Sequence, residues 1–374
     1  MLDKFFFNPF REFHLLSLLE SLKDSSLSLD RTMRSYFFKH KSLGSKDRQV
    51  ISDSLYLIVR WKGFFKYFCK DKPESWRDIL YISQRINPLT DVTPMPPWNK
   101  VSFPPWLYKK FISSLGTDVG IKVCYTLNSQ APVTIRINPI KTTREAFLAL
   151  LGSTYKFQPC LHSSLGIHIL QKISIQSIAL FKEGYFEIQD EGSQLMADLI
   201  KSNPGDMVLD YCAGAGGKAL AFGVRMKNQG KIYLYDIRQF MLSKAKKRLL
   251  KAGISNVEIF DPSSMNVEFD WIVLDVPCSG TGTIRRHPEL KWCLSEEKIE
   301  SYCNLQRAIF DTAWKYLKQN GKLVYITCSV LNEENEAQLA YFTKRYSIQI
   351  MEKLALLPRR NSYDGFFGAV LKKI

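Results

Sequence analysis

The chain has 374 residues, a formal net charge of +16 and a pI near 9.4. This length exceeds what one ordinary hydrophobic core accommodates, so it predicts two or three domains. The longest apolar runs are far shorter than the roughly 18 residues of a membrane-spanning helix, which argues against an integral membrane protein.

The strong positive charge indicates a polyanionic partner, because Lys and Arg release condensed counterions when they meet phosphates. Nucleic acid is the first candidate and an acidic membrane surface the second. On charge alone, a basic balance that merely aids solubility stays open. The 8 cysteines show no paired spacing and no signal peptide precedes them, so we expect a reduced, intracellular protein. We also expect a cytoplasmic monomer without a bound metal.

The first half of the chain divides into three predicted segments. Residues 1–87 carry apolar side chains at helical intervals and predict a helical module. Prolines crowd residues 88–105, which predicts a linker because proline cannot supply regular hydrogen-bond ladders. Residues 106–182 combine helix-like stretches with alternating strands such as 133–137, which predicts a small α+β unit.

Residues 183–374 alternate short apolar runs with helical patterns. Strands are expected at 207–211, 231–236, 257–260, 271–275 and 322–327, with a lysine-rich helix ending near Ala252 and a second helix capped by Ser295. Nearly continuous apolar strands alternating with helices specify a doubly wound, mostly parallel sheet of α/β class. Ligands of such sheets bind at the carboxyl ends of the strands.

A glycine-rich turn follows the first of these strands. In "LDYCAGAGGKAL", Gly214, Gly216 and Ala219 form a G-x-G-x-x-A pattern, which lets a nucleotide-type ligand approach the bare backbone. Asp236 ends the next strand about 20 residues later, as expected for a carboxylate that accepts the ribose hydroxyls. Asp261, after the third strand, could hold the adenine amino group. This spacing fits both NAD and S-adenosylmethionine.

Two thiols follow two further strands. Asp275 and Cys278 come after the fourth strand and Cys328 after the fifth, so both sulfurs are expected over the ligand-binding edge. A lone cysteine behind a strand is usually inert packing, but chance burial does not predict two at one edge.

Two thiols and a carboxylate suit one reaction, the methylation of a pyrimidine at carbon 5. That carbon is not nucleophilic until a thiolate adds to carbon 6 and makes carbon 5 an enamine carbon. The carbon 5 proton must then leave to a base and the thiol be expelled. Asp275 is expected to hydrogen-bond a ring nitrogen and stabilise the charge that develops.

Several blocks together resemble the RNA cytosine-5 methyltransferases of the RsmB/Nop/Sun family. They are "GYFEIQDEGSQL", "LDYCAGAGGK", "DVPCSGTGTIRRHPELKW", "YITCSVLNEENE" and "DGFFGAVLKK". Residues 132–147 resemble the small RNA-recognition-like unit of this family, and residues 1–87 more faintly its NusB-like helical domain.

The resemblance implies a Rossmann-like S-adenosylmethionine-dependent domain over 183–374, with small-subunit ribosomal RNA as substrate and transfer RNA as the alternative. It implies that Cys328 is the nucleophile and that Cys278 assists product release. In the DNA cytosine-5 methyltransferases the Pro-Cys cysteine attacks instead, so this assignment depends on the family. The residues expected around the cofactor are Cys212, Ala213, Gly214, Ala215, Gly216, Gly217, Lys218, Asp236, Asp261 and Asp275.

Two other classes of function remain as alternatives. An NAD-dependent oxidoreductase would explain the glycine turn and Asp236 but neither Cys278 nor Cys328. A ribosome-assembly factor that binds RNA without chemistry would explain the charge but not the acid and the two thiols.

Overall fold

The computed structural model describes residues 8–22, 28–69 and 75–374. The chain forms two compact units, Met1–Gln130 with Ile284–Leu294, and Ala131–Thr283 with Ser295–Ile374. No helix in the described ranges is long and apolar enough to cross a membrane.

The first unit is helical, as its apolar spacing predicts. Proline starts three of its helices at positions where a missing backbone N–H costs nothing, and the side chains of Asn8 and Ser75 cap the first and fourth helices. Its helices are α1 Pro9–Ser21, α2 Leu29–Lys39, α3 Ser45–Cys69, α4 Trp76–Ser83, α5 Pro97–Lys100, α6 Pro105–Leu115, α7 Thr117–Leu127 and, from the later segment, α13 Leu290–Cys293.

A buried lysine fixes the segment 284–294 within this helical unit. Lys291 is 0% exposed, and its Nζ donates to Arg60 O at 2.6 Å, Ser102 O at 2.8 Å and Asn128 Oδ1 at 2.8 Å. Burial lowers the pKa of Lys291 well below its ordinary value. Three acceptors match the three donors of an ammonium group, which offsets the cost of burying it.

The second unit contains a small antiparallel sheet and a large mixed sheet. The small sheet has the strand order β2-β3-β1-β4, with β1 Val133–Ile137, β2 Phe157–Pro159, β3 Gly166–Ile169 and β4 Phe186–Ile188, and is accompanied by α8 Arg144–Leu151 and α9 Ala179–Lys182. It confirms the α+β pattern read from the alternating strand.

The large sheet has the order β10-β11-β9-β8-β5-β6-β7. Strands β5 to β9 pair in parallel, whereas β11 is antiparallel to both β9 and β10. The strands are β5 Met207–Asp210, β6 Lys231–Leu234, β7 Val257–Ile259, β8 Phe269–Asp275, β9 Leu317–Thr327, β10 Ile348–Leu356 and β11 Phe366–Lys373, and the helices are α10 Glu191–Asp198, α11 Gly217–Phe222, α12 Gln239–Lys251, α14 Glu296–Trp314 and α15 Glu336–Arg345.

Both faces of this sheet are buried, which confirms the doubly wound α/β fold. Neighbouring residues of one strand enter opposite cores, as Val208 and Leu209 do. The chain order reverses at β5, with β6 on one side and β8 on the other, and such a reversal opens a crevice at the carboxyl ends of the strands.

The compact units differ from the expected segments in two places. Residues 88–105 contain α5, and Val101 and Phe103 are buried, so this stretch is packed protein rather than an open linker. The helices α6 and α7, expected in the small α+β unit, and the segment 284–294, expected in the catalytic domain, group with the helical unit. Side chains such as Lys291 decide this grouping, and their partners are distant in sequence.

Candidate active site

Two thiols meet at the carboxyl edge of the large sheet. β8 ends at Asp275 and β9 at Thr327, and Cys278 and Cys328 follow in the adjacent loops. The Cys278 Sγ lies 3.2 Å from the Cys328 Sγ and 3.3 Å from the Cys328 backbone N, which donates to it. Parallel neighbours bring these loops together because their carboxyl ends share one edge.

The surroundings keep Cys278 in the neutral thiol form. Its hydrogen bond with Cys328 raises the pKa of Cys278 well above its ordinary value, and burial and the charge of Glu334 act in the same direction. A protonated Cys278 can donate a hydrogen bond to the other sulfur. Since the thiolate is the nucleophilic form, a Cys278 held neutral is poorly suited to attack. The assignment of Cys328 as the attacking atom stays a prediction.

A buried ion pair lies at the same edge. The Lys218 Nζ contacts Asp275 Oδ2 at 2.8 Å and donates to Ser193 Oγ at 3.2 Å. Lys218 is 5% exposed, whereas about a third of the Asp275 side chain is exposed. The sequence pattern assigns Lys218 only to the cofactor turn, yet its ammonium group binds the carboxylate expected to contact the pyrimidine.

The glycine turn has a backbone that only glycine adopts easily. Gly214 and Gly216 have φ values of +51° and +81°. A Cβ on Gly216 would lie 2.9 Å from Leu249 Cδ1 and 3.2 Å from Ala245 Cβ, so this glycine also permits close packing on α12. The Gly214 N donates to Asp236 Oδ2 at 2.8 Å, which ties the turn to the end of β6.

Asp236 is buried and already ion-paired. Its Oδ1 and Oδ2 accept from the Arg238 guanidinium at 2.9 Å and 3.0 Å. Although burial opposes ionisation, these hydrogen bonds hold the pKa of Asp236 below its ordinary value. The Arg238 side chain is mostly exposed, so it can move aside for a ligand that binds Asp236.

Asp261 closes its own turn. Its Oδ1 accepts from Ser263 N at 2.9 Å and Ser263 Oγ at 2.7 Å, and its Oδ2 accepts from Ser264 Oγ at 2.9 Å. These bonds lower the pKa of this exposed carboxyl. Its contact with adenine stays a prediction.

Two family descriptions match the second half of the chain and its small sheet. Residues 197–372 match the model of the 16S rRNA methyltransferase RsmB/F, and residues 103–176 match the ferredoxin-like domain of RsmF/B-like methyltransferases. The ribosomal RNA small subunit methyltransferase B of Photorhabdus laumondii is 34% identical over 264 residues, which cover 66% of this chain and 61% of that protein. The protein of the same name from Proteus mirabilis is 33% identical over 281 residues, which cover 72% of this chain and 65% of that protein.

The chain belongs to the RsmB/F methyltransferase family. The matched part spans less than two thirds of the length of these two relatives. Among solved structures, PH0851 superposes with a TM-score of 0.81 at 23% identity, covering 98% of this chain and 99% of that one. NSun6 from Pyrococcus horikoshii with SFG superposes with a TM-score of 0.65 at 20% identity, covering 72% of this chain and 98% of that one. Both similarities concern the fold.

Several residues that support the glycine turn are not identified by the sequence pattern. Arg248, on α12, donates through Nη1 to the Ala215 carbonyl and through Nη2 to Glu187 Oε2 at 2.7 Å. Gln189 donates through Nε2 to the Gly217 carbonyl at 3.2 Å. Glu187 lies on β4, so the small sheet supports the backbone of the turn. In the sequence, the segment "FEIQD" before α10 is recognisable only as part of a family block.

Cys212, expected beside the cofactor, is half-buried and packs against one core of the sheet. Burial raises its pKa well above the ordinary value, and the neighbouring carboxylates Asp210, Asp275 and Asp236 add to this. A thiol held neutral in this way is inert as a nucleophile. Cys212 is therefore not a further nucleophile, and its contact with the cofactor stays a prediction.

Cys160, His168 and Glu191 form a second polar cluster, in the small sheet and α10. The Glu191 Oε1 accepts from His162 N at 2.7 Å and Ser163 N at 3.2 Å, and its Oε2 accepts from Ser362 Oγ at 2.8 Å. Because protein donors already satisfy this carboxylate, the cluster is adequately explained as a buried polar layer.

Asp210, at the end of β5, is a buried acid without a well-formed hydrogen bond to any described residue. It is 1% exposed. Burial raises the pKa of Asp210 to about 7, and the charge of Asp275 adds to this, while Lys218 opposes it. An unpartnered carboxyl beneath the glycine turn marks a place where a polar ligand group would find an acceptor.

The raised pKa predicts a stability that falls as pH increases. Between about pH 4 and 7 the unfolded chain has lost the Asp210 proton while the folded chain still holds it, so unfolding becomes easier with rising pH. We expect Asp210→Asn to remove this slope. Relative to the natural protein, the melting temperature of the ligand-free variant should rise more at pH 8 than at pH 5. Thermal unfolding of both proteins across this range measures it, and parallel pH profiles would contradict the assignment.

Proposed function

We propose that this chain is an S-adenosylmethionine-dependent methyltransferase acting on carbon 5 of cytosine in small-subunit ribosomal RNA, in the cytoplasm. The observation that carries the proposal is the 3.2 Å separation of the Cys278 and Cys328 sulfurs beside a buried Lys218–Asp275 ion pair. The names of the two curated relatives support ribosomal RNA over transfer RNA as the substrate.

The residues on the sheet edge fit the cofactor. The glycine turn presents backbone without Cβ atoms, Asp236 stands at the end of β6, and the Asp210 carboxyl is buried without a partner. Residues 212–218 with Asp236, Asp261 and Asp275 would hold it, with Arg238 moving away from Asp236. When bound, S-adenosylmethionine supplies an electrophilic methyl group.

Cys328 supplies the nucleophile for covalent activation. Its thiolate adds to carbon 6 of cytosine, and the electron pair released into the ring makes carbon 5 able to attack the methyl group. After transfer, the carbon 5 proton leaves to a base, the carbon 5–carbon 6 double bond re-forms, and the electron pair of the carbon–sulfur bond returns to Cys328. The neutral Cys278 thiol donates a hydrogen bond to the departing sulfur.

The Lys218–Asp275 pair stabilises the negative charge that develops on the pyrimidine ring. Addition at carbon 6 places negative charge on the pyrimidine ring nitrogen, which then needs a proton or a hydrogen-bond donor. Asp275, partly exposed, is the member of the pair that can reach a ligand. The Lys218 ammonium passes a proton to the Asp275 carboxyl group as that group passes one to the ring nitrogen, and the proton returns by the same route when the sulfur is expelled.

The RNA must present an unstacked base, because carbon 6 is shielded in a stacked helix. The net charge of +16 supplies a general attraction for phosphates. A flipped or single-stranded cytosine in a folded RNA satisfies both requirements.

Methyl transfer from labelled S-adenosylmethionine tests the proposal directly. We expect the full-length protein to label small-subunit ribosomal RNA at carbon 5 of a cytosine, and bisulfite sequencing of cells with and without the protein to identify the position. Labelling of transfer RNA alone would show that transfer RNA, and not ribosomal RNA, is the substrate. RNA binding without labelling would favour an assembly factor, and calorimetric binding of NAD in place of S-adenosylmethionine would favour an oxidoreductase.

A further inference from the structure

Buried side chains hold the backbone on both sides of Cys278. On one side, the Pro277 carbonyl accepts from Gln306 Nε2 at 3.1 Å. On the other side, Ser279 donates through its backbone N to Glu334 Oε1 at 2.8 Å and through Oγ to Glu334 Oε2 at 2.5 Å. The Gln306 Nε2 also lies 3.1 Å from Glu334 Oε1, which joins the two contacts.

The Asn335 side chain holds the backbone on both sides of Cys328. The Thr327 Oγ1 donates to Asn335 Oδ1 at 2.6 Å, and the Asn335 Nδ2 donates to the Ser329 carbonyl at 3.0 Å. A single amide group therefore contacts the residues immediately before and after the second thiol.

Glu334 and Asn335 are adjacent in sequence and themselves immobilised. They are 0% and 4% exposed. The Tyr325 hydroxyl lies 2.8 Å from the Glu334 carbonyl and 3.1 Å from Gln306 Oε1, two acceptors that share its single proton. The same Gln306 oxygen accepts from Gln338 Nε2 at 2.8 Å. Glu334 and Gln306 are thus held by buried hydrogen-bond partners of their own.

The thiols cannot hold themselves in place. A thiol is a weak donor and a sulfur a weak acceptor, so the Cys278–Cys328 contact contributes little to fixing its own geometry. A buried carboxylate that accepts three hydrogen bonds contributes far more, because charge-assisted bonds are about twice as strong as neutral ones. Displacing reacting atoms by about 1 Å can cost on the order of 10²-fold in rate.

We propose that Glu334 and Asn335 are positioning residues for the two thiols, Glu334 acting through Ser279 on Cys278 and Asn335 acting through Thr327 and Ser329 on Cys328. The assignment of separate catalytic steps to them rests on the proposed function. Loss of the Glu334 carboxylate then impairs product release, and loss of the Asn335 amide impairs formation of the covalent intermediate.

The geometric part of the proposal is tested without RNA or cofactor. Diamide accepts two protons and two electrons from a pair of thiols and converts them to a disulfide, and peptide mass spectrometry identifies the Cys278–Cys328 bond among the other cysteines. We expect Glu334→Gln and Asn335→Asp to slow this oxidation at least about tenfold relative to the natural protein. Glu336→Gln, an exposed carboxylate one residue beyond Asn335, is the matched control and is expected to oxidise at the natural rate.

A further variant tests the same contact in case Glu334→Gln fails to fold. Ser279→Ala removes the hydroxyl that donates to Glu334 without altering the buried carboxylate, and it should slow disulfide formation in the same direction. Unchanged oxidation rates in all three variants would overturn the positioning role, whatever their activity.

The catalytic part is tested with RNA and S-adenosylmethionine. Glu334→Gln should accumulate protein covalently joined to RNA, whereas Asn335→Asp should form that species at least about tenfold more slowly. Equal effects of the two variants on both steps would overturn the division of roles. If the natural protein methylates no RNA while the oxidation rates change as expected, the proposed function fails and the positioning role stands.

Discussion

Cys328→Ala is expected to abolish methyl transfer, whereas Cys278→Ala is expected to trap the protein on its RNA. Without the Cys328 sulfur no bond to carbon 6 forms, and turnover should fall by roughly 10³-fold or more, as when other covalent nucleophiles are removed. Without Cys278 the bond still forms, but the departing sulfur loses the donor 3.2 Å away, so the intermediate persists.

Denaturing gel electrophoresis separates these outcomes. A band of protein joined to labelled RNA should appear with Cys278→Ala and be missing with Cys328→Ala and with the double variant. Cys293→Ala, which removes an exposed thiol, is the control and should behave as the natural protein does. If Cys328→Ala forms the adduct and Cys278→Ala does not, the roles are reversed; normal rates in both single variants would remove the covalent mechanism altogether.

Lys218→Met is expected to reduce turnover by roughly 10²- to 10⁴-fold, the usual contribution of a positioned proton donor. The substitution leaves the Asp275 carboxylate without its 2.8 Å partner and close to Asp210, whose pKa Asp275 already raises. Asp275 then lacks the proton source behind it, and its carboxylate repels the negative charge that develops on the ring.

The pair should act as a unit. We expect Asp275→Asn and the double variant to be about as slow as Lys218→Met, since groups that cooperate in one step show strongly non-additive losses. Lys201→Met breaks an exposed ion pair of similar length, 2.7 Å to Glu352, and should leave turnover unchanged. Calorimetry with S-adenosylmethionine distinguishes a loss of chemistry from a loss of cofactor binding. Additive losses, or a loss explained by weaker binding alone, would assign Lys218 to the cofactor only.

The carboxyl-terminal hairpin of β10 and β11 shows where local pattern was insufficient. The segment 366–373 is recognisable only as a family block, and it pairs antiparallel with both β9 and β10, beside the parallel part of the sheet. Strand direction depends on which edge of the sheet is free when the chain returns, and residue spacing does not encode that.

The sequence by itself determined the alternation of strands and helices, the glycine turn and the arrival of two thiols at one sheet edge. Strands buried on both faces must be almost wholly apolar, and parallel strands end at the same edge, so these features follow from local pattern. Only the tertiary structure decided that Lys218 pairs with Asp275, that Glu334 and Asn335 hold the cysteine loops, and that Lys291 fixes 284–294 in the helical unit. Most of those contacts join residues far apart in the chain, and a buried polar group takes whichever partner the packed fold brings within hydrogen-bond distance.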